Sequence, residues 1–139
     1  MIILDTNVLS KFMRAVPNPM VMAWIAQQIP SQVFITTITQ AEIYYGLALL
    51  PTRKRCSDME RAVQQMFEQD FLERILTFDS VAALEYAKLA SLRRQIGKPI
   101  AQADAQVAAI ALSKNAVLAT RNIADFCDCH LTLVNPWEC

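Results

Sequence analysis

The chain has 139 residues, a length that suits one domain, and 54% of them are apolar against 19% charged, so a large core is available. Thirteen basic residues balance thirteen acidic ones, which gives no global support to a nucleic-acid partner; that role would need cations gathered on one face. Only two glycines are present, which favours long helices joined to short strands over a fold rich in tight turns.

Met1–Leu4 is apolar and runs straight into Asp5. The run is too short for the core of a signal peptide, and Asp5 interrupts it. No stretch reaches the roughly 20 apolar residues of a spanning helix, so a cytoplasmic protein without a membrane segment is expected. The first strand is predicted at Ile2–Leu4, and a short helix over Val21–Gln28 follows Pro19. Val33–Thr36 reads as a second strand. A helix over Thr39–Leu50 stops at Pro51, and a long one is predicted over Arg53–Phe71. Ile75–Phe78 is the third strand, and a helix over Val81–Ile96 ends at Gly97. An alanine-rich helix, Gln102–Lys114, follows Pro99, and strands at Val117–Ala119 and Leu131–Val134 complete the pattern. The strands are continuous apolar runs, as in strands buried on both faces. The predicted fold is therefore α/β: one domain over residues 1–139, with a mainly parallel sheet of about five strands flanked by helices.

Open parallel sheets build their sites at the carboxyl ends of the strands. Asp5 sits at such an end. Glu42 lies near the start of a helix after the second strand, although Thr39 and Glu42 also fit a capping box. Asp104 is the only charge between Lys98 and Lys114 and lies near a helix N-terminus, where the macrodipole favours an acid anyway. Asn122 and Asp125 follow the strand Val117–Ala119, where one can hold a turn and the other cap one. Each acid has an ordinary explanation by itself. Together, all of them fall at connections on one edge of the sheet. Converging carboxylates without cationic partners repel, and a hard divalent cation, Mg²⁺ or Mn²⁺, is the usual remedy. Such ions typically act on phosphate esters.

Cys56, Cys127, Cys129 and Cys139 do not have the spacing of a standard zinc motif, with or without His130, and are expected as free thiols. His130 is expected at a surface or turn. Lys11, Arg14, the run at 53–55, Arg93, Arg94, Lys98 and Arg121 are candidate phosphate contacts. Tyr44 and Tyr45 are candidates for stacking on a base, with one of them expected in the core or an interface.

Four segments in this order, MIILDTNVLS, TTITQAEIYYGLALL, GKPIAQADAQVAAIA and LATRNIADF, resemble the PIN domain. The resemblance is closest to VapC-type toxins of bacterial toxin–antitoxin pairs, and the NPWE of Asn135–Glu138 is similar to the end of the FitB-like subgroup. It covers nearly the whole chain. It implies a metal-dependent endoribonuclease in which Asp5, Glu42 and Asp104 are catalytic, with Asp5 and Asp104 as metal ligands. The fourth site residue is Asn122 or Asp125, since the family often has an aspartate where Asn122 stands. Thr6, Asn7 and Arg121 fall on the substrate side. Before Asp104 the family often has Ser or Thr as a cap, and this chain has Ala101 and Gln102. The resemblance also implies Mg²⁺ or Mn²⁺ as cofactor, an RNA substrate such as tRNA, a VapB-like antitoxin and a homodimer. Two other readings stand beside it. A degenerate PIN-like domain would bind a partner without catalysis. A phosphotransferase of the haloacid dehalogenase type would need an acid where Asn7 stands.

Overall fold

The structure is a computed structural model that describes residues 1–12, 18–52 and 57–138. Its strands are β1 (Ile2–Leu4), β2 (Val33–Thr36), β3 (Ile75–Leu76), β4 (Val117–Ala119) and β5 (Thr132–Val134). They form one sheet in the order β3-β2-β1-β4-β5, and every pairing is parallel. The helices are α1 (Thr6–Phe12), α2 (Pro19–Ala26), α3 (Thr37–Leu49), α4 (Ser57–Gln65), α5 (Ser80–Gln95) and α6 (Gln102–Ser113).

Alternation along the strands divides the core into two layers. Ile3 and Leu118 face Leu89 and the buried side of α6, including Val107, Ala108 and Ile110. Leu4 and Ala119 face the other way, toward Val8, Leu9, Val21, Trp24 and Phe67. Helices therefore cover both faces of the sheet, as the apolar strands predict. The small residues Ala105, Ala108, Ala109 and Ala111 are all buried, which lets α6 lie close to its neighbours.

The predicted strands are present; β3 is shorter than Ile75–Phe78, and β5 begins at Thr132 instead of Leu131. α2 begins at Pro19, which serves as its first helical residue, and Asn18 caps it. Asp79 caps α5, and Gly97 at φ 76° closes that helix. Helix α3 starts two residues before the predicted Thr39, because the Thr36 side chain at the end of β2 already accepts the Thr39 N–H at 3.1 Å. In place of a long helix through Phe71, α4 passes into a π-helical turn, Met66–Asp70.

Helix α1 is absent from the sequence prediction, which assigns no element between Ile2–Leu4 and Val21–Gln28. It is only seven residues long, and a helix that short is not stable by propensity. It forms because Val8 and Leu9 are fully buried against the sheet. The Asp5 carbonyl starts it by accepting the N–H groups of Val8 and Leu9 at 3.0 and 3.2 Å.

Candidate active site

β1 lies at the centre of the sheet, and the strand order reverses direction between β1 and β4. In open parallel sheets, the crevice outside the strand ends at such a switch point is where ligands bind. Leu4 pairs with Ala119, so the next residues out, Asp5 and Thr120, emerge side by side. Both are buried. Asp5 Oδ1 accepts the Thr6 N–H at 2.9 Å, and Oδ2 accepts the Thr120 hydroxyl at 2.8 Å. Burial raises the Asp5 pKa above its ordinary value, with Glu42 and Asp125 adding to the rise; the bonds from Thr120 and Thr6 oppose it.

Glu42 lies on the second turn of α3 and is exposed. Thr6 Oγ1 donates to Glu42 Oε1 at 2.7 Å and lies 3.0 Å from the buried Thr39 hydroxyl. This overturns the capping box: Thr36 is the cap, Thr39 is inside the helix, and Glu42 is too far along to reach the cap. One helix turn after a strand end thus presents a glutamate toward the end of β1.

Asp104 lies in the first turn of α6, whose cap, Ala101, offers no side-chain bond. Its pKa rises from 3.8 to about 6, first through burial and then through the charges of Asp5, Asp125 and Glu42. Asp104 is thus in the field of the other three, and Asp5 in that of Glu42 and Asp125, although the four come from separate segments. Among the described residues, the ion pairs are Lys88–Glu85 and Lys98–Asp128, so none of the four is paired with a described cation.

Asn122 precedes a short 3₁₀ turn, Ile123–Phe126, and Asp125 lies within it. The Asn122 N–H donates to Thr120 Oγ1 at 3.1 Å, and its carbonyl accepts the Asp125 N–H at 3.0 Å. Neither side chain caps the turn: Asn122 makes no such bond, and Asp125 is inside it. Asp125 is the one whose charge acts on Asp5 and Asp104. Asn7 Oδ1 accepts the Arg121 N–H at 3.4 Å. The Arg121 guanidinium lies over the Trp137 ring, 5.2 Å from its centroid, which links the NPWE segment to the site. An open groove of about 580 Å³ is lined by Arg121, Asn122, Asp125, Asn135 and Glu138. A second groove of about 240 Å³, lined by Ile43, Leu47, Leu50, Met59 and Val63, opens at Thr6 and Glu42.

The donor set is all oxygen, which suits a hard divalent ion. Among the described residues, no three acidic, histidine or cysteine side chains are drawn together around one point. Mg²⁺ does not require that, since it keeps several waters and takes one or two carboxylates. Asp5 and Asp104 fit that description.

Several candidate cations are placed elsewhere than predicted. Arg93 is buried, with 5% of its surface exposed, and contacts carbonyls instead of facing solvent. Lys98 is ion-paired to Asp128 at 3.2 Å. Lys11 is half-buried and Arg94 exposed. Arg14, the run at 53–55, Cys56 and Cys139 lie outside the described residues. Tyr45 is 67% exposed and Tyr44 leans on Phe67 with centroids 5.1 Å apart, so neither is a core residue. His130 is exposed at φ 58°, and Cys127 and Cys129 are free thiols. Thr120 was not anticipated, and Thr39 was expected as a cap and not as a neighbour of Thr6. Aligning MIILDT with AVLATR at the parallel register would have placed Thr120 beside Asp5.

Residues 2–128 match the model of the PIN domain. The chain is 38% identical over 138 residues to toxin FitB of Neisseria gonorrhoeae, with 99% of each chain covered. It is 36% identical over 138 residues, with the same coverage, to VapC ribonuclease Y4jK of Sinorhizobium fredii. The crystal structure of FitAcB from Neisseria gonorrhoeae superposes with a TM-score of 0.88 at 36% identity, covering 100% of both chains.

Proposed function

The chain belongs to the PIN-domain family, and from that premise we propose that it is the ribonuclease toxin of a toxin–antitoxin pair, hydrolysing RNA phosphodiesters with a divalent metal. The observation that carries the reading is the meeting of Asp5, Glu42, Asp104 and Asp125 in one field, at the switch point of the sheet, without a cationic partner among the described residues.

Asp5 and Asp104 would hold the metal, Mg²⁺ or Mn²⁺. The chemistry such an ion supplies is a polarised phosphoryl oxygen and a water acidified for attack on phosphorus. Thr120 and the Thr6 amide hold the Asp5 carboxylate in one orientation. Thr6 holds Glu42, which steers the attacking water. Asp125 serves as the fourth acid and Asn122 shapes its turn. Asn7 and Arg121 border the groove on the substrate side, where Arg121 meets phosphate. A neutral chain with these few cations suits a small folded RNA such as tRNA.

The domain is read as all of residues 1–139, since β5 and Trp137 lie beyond the matched segment yet belong to the same sheet and core. The partner is a VapB-like antitoxin that places an apolar segment in the groove beside Glu42, and the toxin works as a homodimer. Among the described residues no helix is long and apolar enough to cross a membrane, and a cytoplasmic location goes with an RNA substrate. The degenerate-domain reading needs the acids as caps; Glu42 and Asp125 do not cap, which disfavours it.

The test is cleavage of total tRNA by the purified protein with Mg²⁺ or Mn²⁺. Cleavage that disappears with EDTA and in Asp5→Asn is expected. Cleavage that persists with EDTA, or full activity in Asp5→Asn, sinks the reading.

A further inference from the structure

We propose that Arg93 is a positioning residue that holds the Asp125 turn against the segment leading to Asp104. The idea deepens the nuclease reading and rests on it for the role of Asp125. A buried guanidinium is costly unless its charge and donors are matched. Among the described residues Arg93 makes no ion pair; the carboxylate that feels its charge, Asp128, is paired to Lys98. Its donors go instead to backbone: Nε to the Lys98 carbonyl at 2.7 Å, and Nη1 to the carbonyls of Asp125 at 3.0 Å and Cys127 at 2.9 Å. Cys129 Sγ lies 3.4 Å from Nη1.

These acceptors lie on two segments. Lys98 belongs to the connection from α5 to α6, which delivers Asp104. The Arg93 carbonyl also accepts the Lys98 N–H, at 2.8 Å, and the Gly97 N–H bonds to Arg94, at 3.1 Å. Arg93 therefore grips that connection with both its backbone and its side chain. Asp125 and Cys127 belong to the turn after β4. That turn runs into irregular backbone, with Asp128 at φ 60° and His130 at φ 58°, and has no ladder to fix it. Of the four acids, Asp125 alone depends on such a turn; the others stand on a strand end or an α-helix. One side chain thus joins the supports of Asp104 and Asp125, and its rigid fork suits the task in a way that a lysine point charge does not.

The test uses the full-length protein with Arg93→Met and Arg93→Lys, each alone and combined with Asp125→Asn. Amide hydrogen exchange over residues 124–127, Mn²⁺ binding by electron paramagnetic resonance, melting temperature and the rate of RNA cleavage are measured. Arg93→Met is expected to speed exchange in the turn, and to weaken Mn²⁺ binding or kcat about 10–100-fold, as for other groups that orient ligands. It should add little in the Asp125→Asn background, and Arg93→Lys should recover part of the loss. If Arg93→Met does not fold, Arg93→Lys carries the same comparison. Unchanged exchange in the turn, or an equal loss with and without the Asp125 carboxylate, overturns the proposal. Full cleavage by Asp5→Asn would instead overturn the nuclease reading, and the exchange data would still decide whether Arg93 holds the turn.

Discussion

Asp5 is surrounded by groups that give up a bond to keep it charged and oriented. Thr120 donates its hydroxyl and Thr6 its amide, against the burial that favours the protonated form. Thr120→Val removes one of these, together with the acceptor of the Asn122 N–H, while keeping the branched shape of the side chain. It is expected to reduce metal affinity or cleavage about 10–100-fold, measured by titrating Mn²⁺ against cleavage rate. A variant with wild-type metal dependence would show that the hydroxyl only packs. Asp104 makes the opposite point, since it is held near three like charges. Asp104→Asn should lose cleavage but raise the melting temperature of the metal-free protein at pH 7.5, because the amide has no charge to repel. A lower melting temperature than wild type would mean the acids do not repel in solution. Such a trade of stability for activity is expected where a site gathers like charges.

At the scale of elements, the helices that carry the acids start in different ways. α3 is capped by Thr36, while α6 starts at Ala101 without a side-chain acceptor. Ala101→Ser supplies that acceptor and is expected to stabilise the fold by about 0.5–2 kcal/mol, read from urea unfolding. No gain would mean that the amides at the start of α6 are already satisfied. α1 is different again, as it exists through burial and not through propensity. Leu9 is fully buried, and Leu9→Ala is expected to cost about 2–5 kcal/mol in the same measurement. The sequence carries clear signals for the elements with long apolar periods and strong stops, such as α5 ending at Gly97. It is ambiguous where hydroxyl residues crowd a boundary, as at Thr36, Thr37 and Thr39, because each can cap and only the packed strand decides which does. It is silent on α1, since seven residues are too few for a period to emerge.

For the molecule as a whole, the acids couple folding to pH. Asp5 and Asp104 both have pKa values raised in the folded state. The folded form therefore binds their protons more tightly than the unfolded form, and their contribution to stability falls as pH rises. For Asp104 the window runs from 3.8 to about 6. Without metal, the difference in melting temperature between Asp104→Asn and wild type should be small at the lower end of this window and largest above it. Added Mn²⁺ should reverse the order above the window, because it binds the ionised carboxylate of the wild type. A difference that does not change with pH would show that Asp104 titrates as a free carboxylate.

The amino-acid order by itself determined the class of fold and the places where acids follow strands or open helices. Those are local properties: apolar run length, period, and the residue next to a boundary. It also carried the segments that resemble a family, and so named Asp5, Glu42 and Asp104 before any geometry was known. The tertiary structure decided what those acids do to one another. It showed that Glu42 is not a cap and that the charge of Asp125 acts on Asp5 and Asp104. It turned Arg93 from a candidate phosphate contact into a buried side chain bonded to the carbonyls of Lys98, Asp125 and Cys127. The reason is distance along the chain. The hydroxyl that holds Asp5 comes from Thr120, 115 residues away, and burial and charge depend on which distant residues arrive together, which no local pattern records.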